Sequence, residues 1–244
     1  MQFLTISLAF FAMLFVLSAC NRPDWRTADR SSAGLAPSPQ IERDAIVHVY
    51  SARAFDWRGY FAVHSWIATK EKDAEFYTTY HVMGFNLRRN LSVVDVKQDV
   101  PDRAWYGAKP SLVAELKGAR AEAAIPKIAA AAKSYPYPMS YRVWPGPNSN
   151  TFISHILRNT PEIGVELPSN AIGKDWINHG KVFARSESGT GVQLSLFGVL
   201  GCTVGLGEGV EVNVLGLNFG VDVLRPAFKL PFVGRVGMRD KPAS

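Results

Sequence analysis

The sequence predicts an α+β fold: an antiparallel β-meander packed by two or three helices, with a C-terminal antiparallel β extension. Three observations carry this. Apolar residues alternate with period two from Ala45 to about Lys97, an alanine-rich stretch with helical composition follows Pro110, and the alternation returns from Val192 to about Val236. With 244 residues, of which 47% are apolar and 20% charged, the chain can build a real core, which excludes wholesale disorder and collagen-like or coiled-coil architecture. The 27 Lys and Arg against 21 Asp and Glu leave a net charge of +6 with no basic block, so no nucleic-acid partner is expected. Two cysteines, Cys20 and Cys202, exclude a disulfide scaffold and a zinc site built from several thiolates.

In chain order, residues 3–19 form an apolar stretch without a charge, followed at once by Cys20 and the polar run NRPDWRTADR. That is the pattern of a secretory signal or a membrane anchor. Its end, Leu17, Ser18, Ala19 and Cys20, resembles the bacterial lipobox, which implies cleavage before Cys20 and acylation, palmitate included, of the new N-terminal cysteine. An uncleaved short anchor and an ordinary signal peptide are the rival readings. Asn21 after the cysteine favours sorting to the outer membrane, facing the periplasm. Residues 1–19 are thus expected as signal peptide and 20–43 as lipidated cysteine and flexible tether, rich in proline and serine. Residues 44–190 then form the core domain, and 191–244 its C-terminal β extension.

IVHVYSAR, FAVHSWIATK, YHVMGF and LSVVDVK read as four strands, with NLRRN as a turn between the last two. His64 and Trp66 share one face of the second. SLVAELKGARAEAAIPKIAAAAKSYPYP reads as helical from its start, split or kinked at Gly118 and Pro126 and ended by Pro136 and Pro138. YRVW is short and extended. Pro145, Gly146 and Pro147 then lead into NSNTFISHILRNT, a helix with Phe152, Ile153, Ile156 and Leu157 on its apolar face, Asn148 or Ser149 as N-cap and Pro161 beyond its end. VQLSLF, GVEVNVLG and LNFGVDVL form the C-terminal sheet, where Val210, Val212 and Val214 oppose Glu211 and Asn213. Cys202 is expected there as a buried structural thiol.

Several motifs carry no chemistry. Gly205 to Gly209 has G-x-G-x-G spacing between strands and opens no helix, and Gly173, Lys174 and Asp175 lack the rest of a phosphate loop. His48, His64 and His81 lie on three consecutive strands without the spacing of a metal motif, so neither metal nor cofactor is expected. One constellation does suggest chemistry. Ser149 begins a helix, where free N–H groups and the positive dipole end stabilise an oxyanion, and its inward face turns toward the sheet that bears His64. Ser149 as nucleophile, His64 as base and His81 as orienting group are the minimum for acyl transfer.

The order of histidine strand and then Asn148, Ser149, Asn150, Thr151, Phe152 at a helix start resembles the circularly permuted papain-like (NlpC-related) superfamily, over residues 45–160. The resemblance implies a permuted papain-like fold and amide or ester chemistry. The family's motif has cysteine where this chain has Ser149, and a hydroxyl is a far weaker acid than a thiol. The runs SARAFDWRGYFAVHSWIATK, YPYPMSYRVWPGPNSNTFISHILRNTPEIGVELPSNAIGKDW and KLPFVGRVG resemble more closely a bacterial envelope family, domain of unknown function 3750. That resemblance implies that Arg53, Trp57, His64, Trp66, Arg142, Trp144, Asn148, Ser149 and Asn150 belong to one site. Two readings follow. One is an envelope binding protein that holds a peptidoglycan, lipid or protein ligand through Arg53, Trp66, Arg142, Trp144, Asn148 and Asn150. The other is a serine-variant papain-like hydrolase or acyltransferase acting on an envelope amide or ester. The serine in the thiol position favours binding.

Overall fold

Ile46–Arg53 (β1) has seven of its eight residues buried, so both its edges need a hydrogen-bonding neighbour. Val63–Lys70 (β2) pairs with one edge and Ser111–Lys117 with the other, both antiparallel. Thr78–Val82 (β3) and Val94–Gln98 (β4) follow, and Ser111–Lys117 becomes β5 of a five-stranded sheet in the order β4-β3-β2-β1-β5. The computed structural model that gives this architecture describes residues 24–238. The expected signal segment, residues 1–19, and Cys20 lie outside the described residues.

The helix expected from Ser111 onward is corrected here: residues 111–117 are a strand because pairing to β1 outweighs the helical preference of Ala, Glu, Leu and Lys. Gly118, at φ 58°, turns the chain, and the helix Ala119–Lys133 (α1) starts after it. Ala121, Ala124, Ile125, Ile128 and Ala132 form its buried stripe. Pro126 does not break α1, because it lies on the exposed side, where water can meet the carbonyl that its missing N–H leaves unpaired. The second helix, Ser149–Asn159 (α2), is capped by Asn148 in a capping box with Thr151. Between β3 and β4 the expected turn is a short 3-10 helix, Gly84–Arg89, closed by Asn90 in the left-handed region.

Both helices cover one face of this sheet. Val47, Val49, Ile67, Tyr80 and Leu116 meet Ile128, Phe152, Ile153 and Ile156 there in one buried core. The opposite face, with Ile46, Tyr50, Trp66, Ala68 and Leu112, is covered by Ala36 and Trp105. Part of the stretch expected as a flexible tether therefore belongs to the fold. Asp102, almost fully buried, accepts hydrogen bonds from Ser32 Oγ (2.7 Å), Leu35 N (2.5 Å) and Ala36 N (3.2 Å), and Ala33 N donates to its carbonyl. Tyr77 donates its hydroxyl to Pro37 O.

The C-terminal part is a seven-stranded up-and-down sheet of Phe183–Arg185 (β6), Gly191–Leu196 (β7), Leu200–Gly205 (β8), Gly209–Val214 (β9), Leu217–Asp222 (β10), Ala227–Leu230 (β11) and Gly234–Gly237 (β12), each paired antiparallel with the next. Its polar face is the one turned inward. Gln193, Thr203, Glu211 and Lys229 are buried against residues 158–175 of the core. Lys174 Nζ donates to Glu211 (2.7 Å) and to Leu167 O, while Lys229 Nζ reaches Glu166, Glu211 (3.1 Å) and Glu208 O. Asp175 accepts from Gln193 and Asn218, each at 2.7 Å. Cys202, expected to be buried, is exposed, because its register with Leu194 and Val212 sets it on the outer face.

Candidate functional site

Asn148 and Asn150 spend their amides on the backbone. Asn148 Oδ1 accepts from the N–H groups of Asn150 (3.0 Å) and Thr151 (3.2 Å), and its Nδ2 donates to Val143 O and Ile172 O. Asn150 Nδ2 donates to Val63 O and Ile172 O, both at 2.9 Å. The start of α2 is thereby stitched to the loop at Ile172 and to the first residue of β2. Gly173 is required at that seam: a Cβ there would sit 2.3 Å from the Asn148 amide. Ser149 is buried close to Tyr141. Burial raises the pKa of Tyr141, and Arg58 and Ser149 oppose the rise.

His64 faces the other way. In β2, Val63 and Ile67 turn toward the helices and join their core, so alternation sends His64, Trp66 and Ala68 to the opposite face. The sheet therefore stands between Ser149 and His64, and the expected dyad, with His81 as its orienting group, does not assemble. His64 lies instead in an aromatic stack, its ring 3.5 Å from that of Trp105 and 8° off parallel, with Trp66 and His81 beside it. His64 Nε2 and His81 Nδ1 approach to 3.5 Å. Burial, then the proximity of His81, holds the His64 imidazole far below its ordinary range, and burial takes His81 down to about 3. Both rings are neutral packing groups at neutral pH. The third strand histidine, His48, donates from Nε2 to Glu115 (2.6 Å) and accepts from the Tyr50 hydroxyl at Nδ1 (2.7 Å). No group of side chains suited to a metal ion occurs among the described residues.

The expected ligand-binding set is likewise dispersed. Trp66 is buried in the stack, with Nε1 donating to Pro101 O. Trp144 is half exposed and lies on the β9–β10 turn, donating from Nε1 to Leu215 O at 2.8 Å. Arg142 is exposed, its backbone N–H given to Pro147 O, and Trp57 is exposed on the 3-10 turn Asp56–Tyr60. Arg53, at the end of β1, is exposed in a cleft of about 760 Å³ between the two sheets. Lys109 and Arg235 share this cleft with Ser51, Ser111 and Asn170, and no carboxylate lines it. The side chains of Arg53 and Lys109 have no ion-pair or hydrogen-bond partner among the described residues. Arg235 is braced by Asp222 and the Arg225 carbonyl.

The most unusual surface is the outside of the C-terminal sheet. One cross-strand row runs Val192, Val204, Val210, Val221, Phe228, Val236, and the next runs Leu194, Cys202, Val212, Phe219. Every one of these residues is exposed. Glu211 and Lys229 fall in the opposite phase and are buried, so the only charge on these outward rows is Arg185 of the edge strand β6, opposite Val192. The turns extend the apolar surface: Phe197, Leu206, Leu215, Leu224 and Val233 are all more than half exposed, and Phe197 and Leu215 hold positive φ, which bulky residues seldom adopt. Six inter-strand spacings of ~4.8 Å and about 17 Å of strand length give a flat area of roughly 500 Å² before the turns are added, at the upper end of what monomers expose. Sequence reasoning missed this face and the cations Lys109 and Arg235. The signal for the face was present: in β9 the apolar residues share one phase with turns that are themselves apolar, where a water-facing hairpin has polar tips.

The family described as protein of unknown function (DUF3750) matches residues 44–176, more than half of the chain. Comparison with curated proteins finds no match, and comparison with solved structures finds none either.

Proposed function

We propose, for a chain that belongs to the DUF3750 family of proteins of unknown function, a non-catalytic binding role at a bacterial envelope membrane, with an acylated Cys20 as anchor and the outer face of the C-terminal sheet lying on the bilayer. The observation that carries this reading is the inverted sheet, with polar residues buried and apolar rows turned outward whose one charge, Arg185, lies on the edge strand β6. Strands in contact with lipid alternate in the same sense. Burying ~500 Å² of apolar surface is worth about 12 kcal/mol gross, comparable to one acyl chain at ~0.8 kcal/mol per methylene.

The position of the anchor favours lipid over a second protein as the occupant. Asp29 O accepts from Gly107 N, next to Ala108 and Lys109, which line the cleft together with Val233 and Gly234 at the β11–β12 edge. Nine residues separate Cys20 from Asp29, a reach of at most ~32 Å. A lipid on Cys20 therefore keeps this edge of the apolar sheet close to the membrane surface. The separation of Ser149 from His64 by the sheet supports binding over hydrolysis.

Cys202, in the middle of the outer face, is a native reporter. The full chain is reconstituted into phosphatidylcholine vesicles with pyrene maleimide on Cys202, and again with spin-labelled acyl chains in the lipid. Strong quenching by the spin label is expected, and pyrene placed by Glu122→Cys on exposed α1, in a Cys202→Ser chain, is expected to stay unquenched. Pyrene excimer emission without lipid quenching would mean that a second copy covers the face. A Cys202 label open to aqueous iodide in vesicles would end the bilayer reading.

A further inference from the structure

The cleft between the sheets has a chemistry that the apolar face does not explain. Three cationic residues from separate parts of the chain line it: Arg53 from the end of β1, Lys109 from the loop before β5 and Arg235 from β12. Arg235 is already paired with Asp222, whereas Arg53 and Lys109 make no side-chain ion pair among the described residues and the lining contains no carboxylate, so an anion entering the cleft meets two cations open to it. Asp29, which feels the charge of Lys109, already accepts from Ser31 N at 2.8 Å. Arg235 donates from Nη2 to Asp222 (2.8 Å) and the Arg225 carbonyl and from Nε to Met238 O (2.6 Å), which fixes the guanidinium in place. The hydroxyls of Ser51 and Ser111, paired across β1 and β5, add donors on the floor. One wall is apolar, with Val63, Leu112 and Val113, and Val233 lies at the rim. A volume of about 760 Å³ suits a ligand larger than a bare anion.

We propose that this cleft binds a phosphate-bearing ligand, with Arg53, Lys109 and Arg235 around the phosphate and the Val63–Val113 wall against an apolar part. The phosphate belongs either to the head group of an anionic lipid or to a free phosphate. The lipid alternative rests on the bilayer reading above, because Val233 joins the rim of the cleft to the outer face of the sheet.

The test uses the full chain and soluble probes, so that it is independent of whether the sheet lies on a bilayer. Binding of dihexanoyl phosphatidylglycerol, below its micelle concentration, is measured by calorimetry beside inorganic phosphate and dihexanoyl phosphatidylcholine. Binding of the phosphatidylglycerol at least ten-fold tighter than the phosphatidylcholine is expected. Arg53→Gln and Lys109→Gln, both at exposed positions, are each expected to weaken it about ten-fold, while Arg88→Gln, an equal charge loss on the 3-10 turn after β3, leaves it unchanged. Phosphate binding as tightly as the lipid, and losing the same factor in both variants, would assign the cleft to free phosphate. No binding by either probe, or equal binding in the two cleft variants and the wild type, would overturn the proposal. A positive result together with a Cys202 label open to water would leave the cleft standing and remove the bilayer reading.

Discussion

Acidification from pH 7 to pH 5 is expected to weaken the fold through His64 and His81. Burial, then its neighbour His81, keeps His64 far below the ordinary imidazole range, and burial takes His81 down to about 3, so both stay neutral in the folded chain at pH 5. In the unfolded chain each binds a proton as the pH falls through ~6.5. A histidine whose folded pKa is depressed contributes stability that is complete above its unfolded pKa and is lost as the pH falls toward the folded one. Across those two pH units each ring then costs about 2 kcal/mol, so that the pair costs ~4 kcal/mol, a large part of the roughly 5–15 kcal/mol that holds a typical domain. Urea unfolding at the two pH values measures the loss directly. The double variant His64→Gln, His81→Gln removes both proton uptakes and is expected to lose ~4 kcal/mol less than the wild type over the same interval. His48 and His155, also held low by burial, contribute equally to both chains and cancel. Should the double variant fail to fold, His81→Gln alone gives half the difference. An identical pH dependence in variant and wild type would refute the assignment of two buried neutral rings.

Three further outcomes are expected. Glu211→Gln removes the carboxylate shared by Lys174 and Lys229, leaving two buried ammonium groups short of charge, and denaturant unfolding should lose about 3–5 kcal/mol. Asn148→Ala removes the cap of α2 and its bonds to Val143 O and Ile172 O, a loss of ~1–2 kcal/mol by the same measurement. Ser149→Ala removes a small buried hydroxyl close to Tyr141 and stays within about 1.5 kcal/mol of wild type. Because no histidine or carboxylate hydrogen-bonds to Ser149 among the described residues, a fluorophosphonate is expected to leave the wild-type chain unlabelled in intact mass spectrometry, and an adduct on Ser149 that disappears in His64→Ala would overturn the separation of the two.

Periodicity alone determined much of this protein: the strands at Ile46, Val63 and Val94, the helix behind Asn148 with its buried Phe152 and Ile156, and the C-terminal meander. These are local signals, since alternation and capping are written in neighbouring residues. Residues 111–117 were not legible in the same way. Their composition suits a helix, and only the need of β1 for a second partner makes them a strand. Residues 31–37 looked like a tether because the groups that hold them, Asp102 above all, lie about seventy residues away.

The site depended still more on the third dimension. His64 and Ser149 each have the residue type and the element that acyl transfer requires, and the sequence specified both. Which face of the sheet the helices cover is decided by packing between distant segments, and one residue of phase sends His64 to the side opposite Ser149. The same holds for the last sheet: the alternation of Val210, Glu211, Val212 and Asn213 stood in the sequence, but water is not what this sheet turns its apolar side away from. That assignment comes from Lys174, Asp175 and Glu166, whose charges, placed beneath the sheet by the core, pair with its polar face and leave the valines outside.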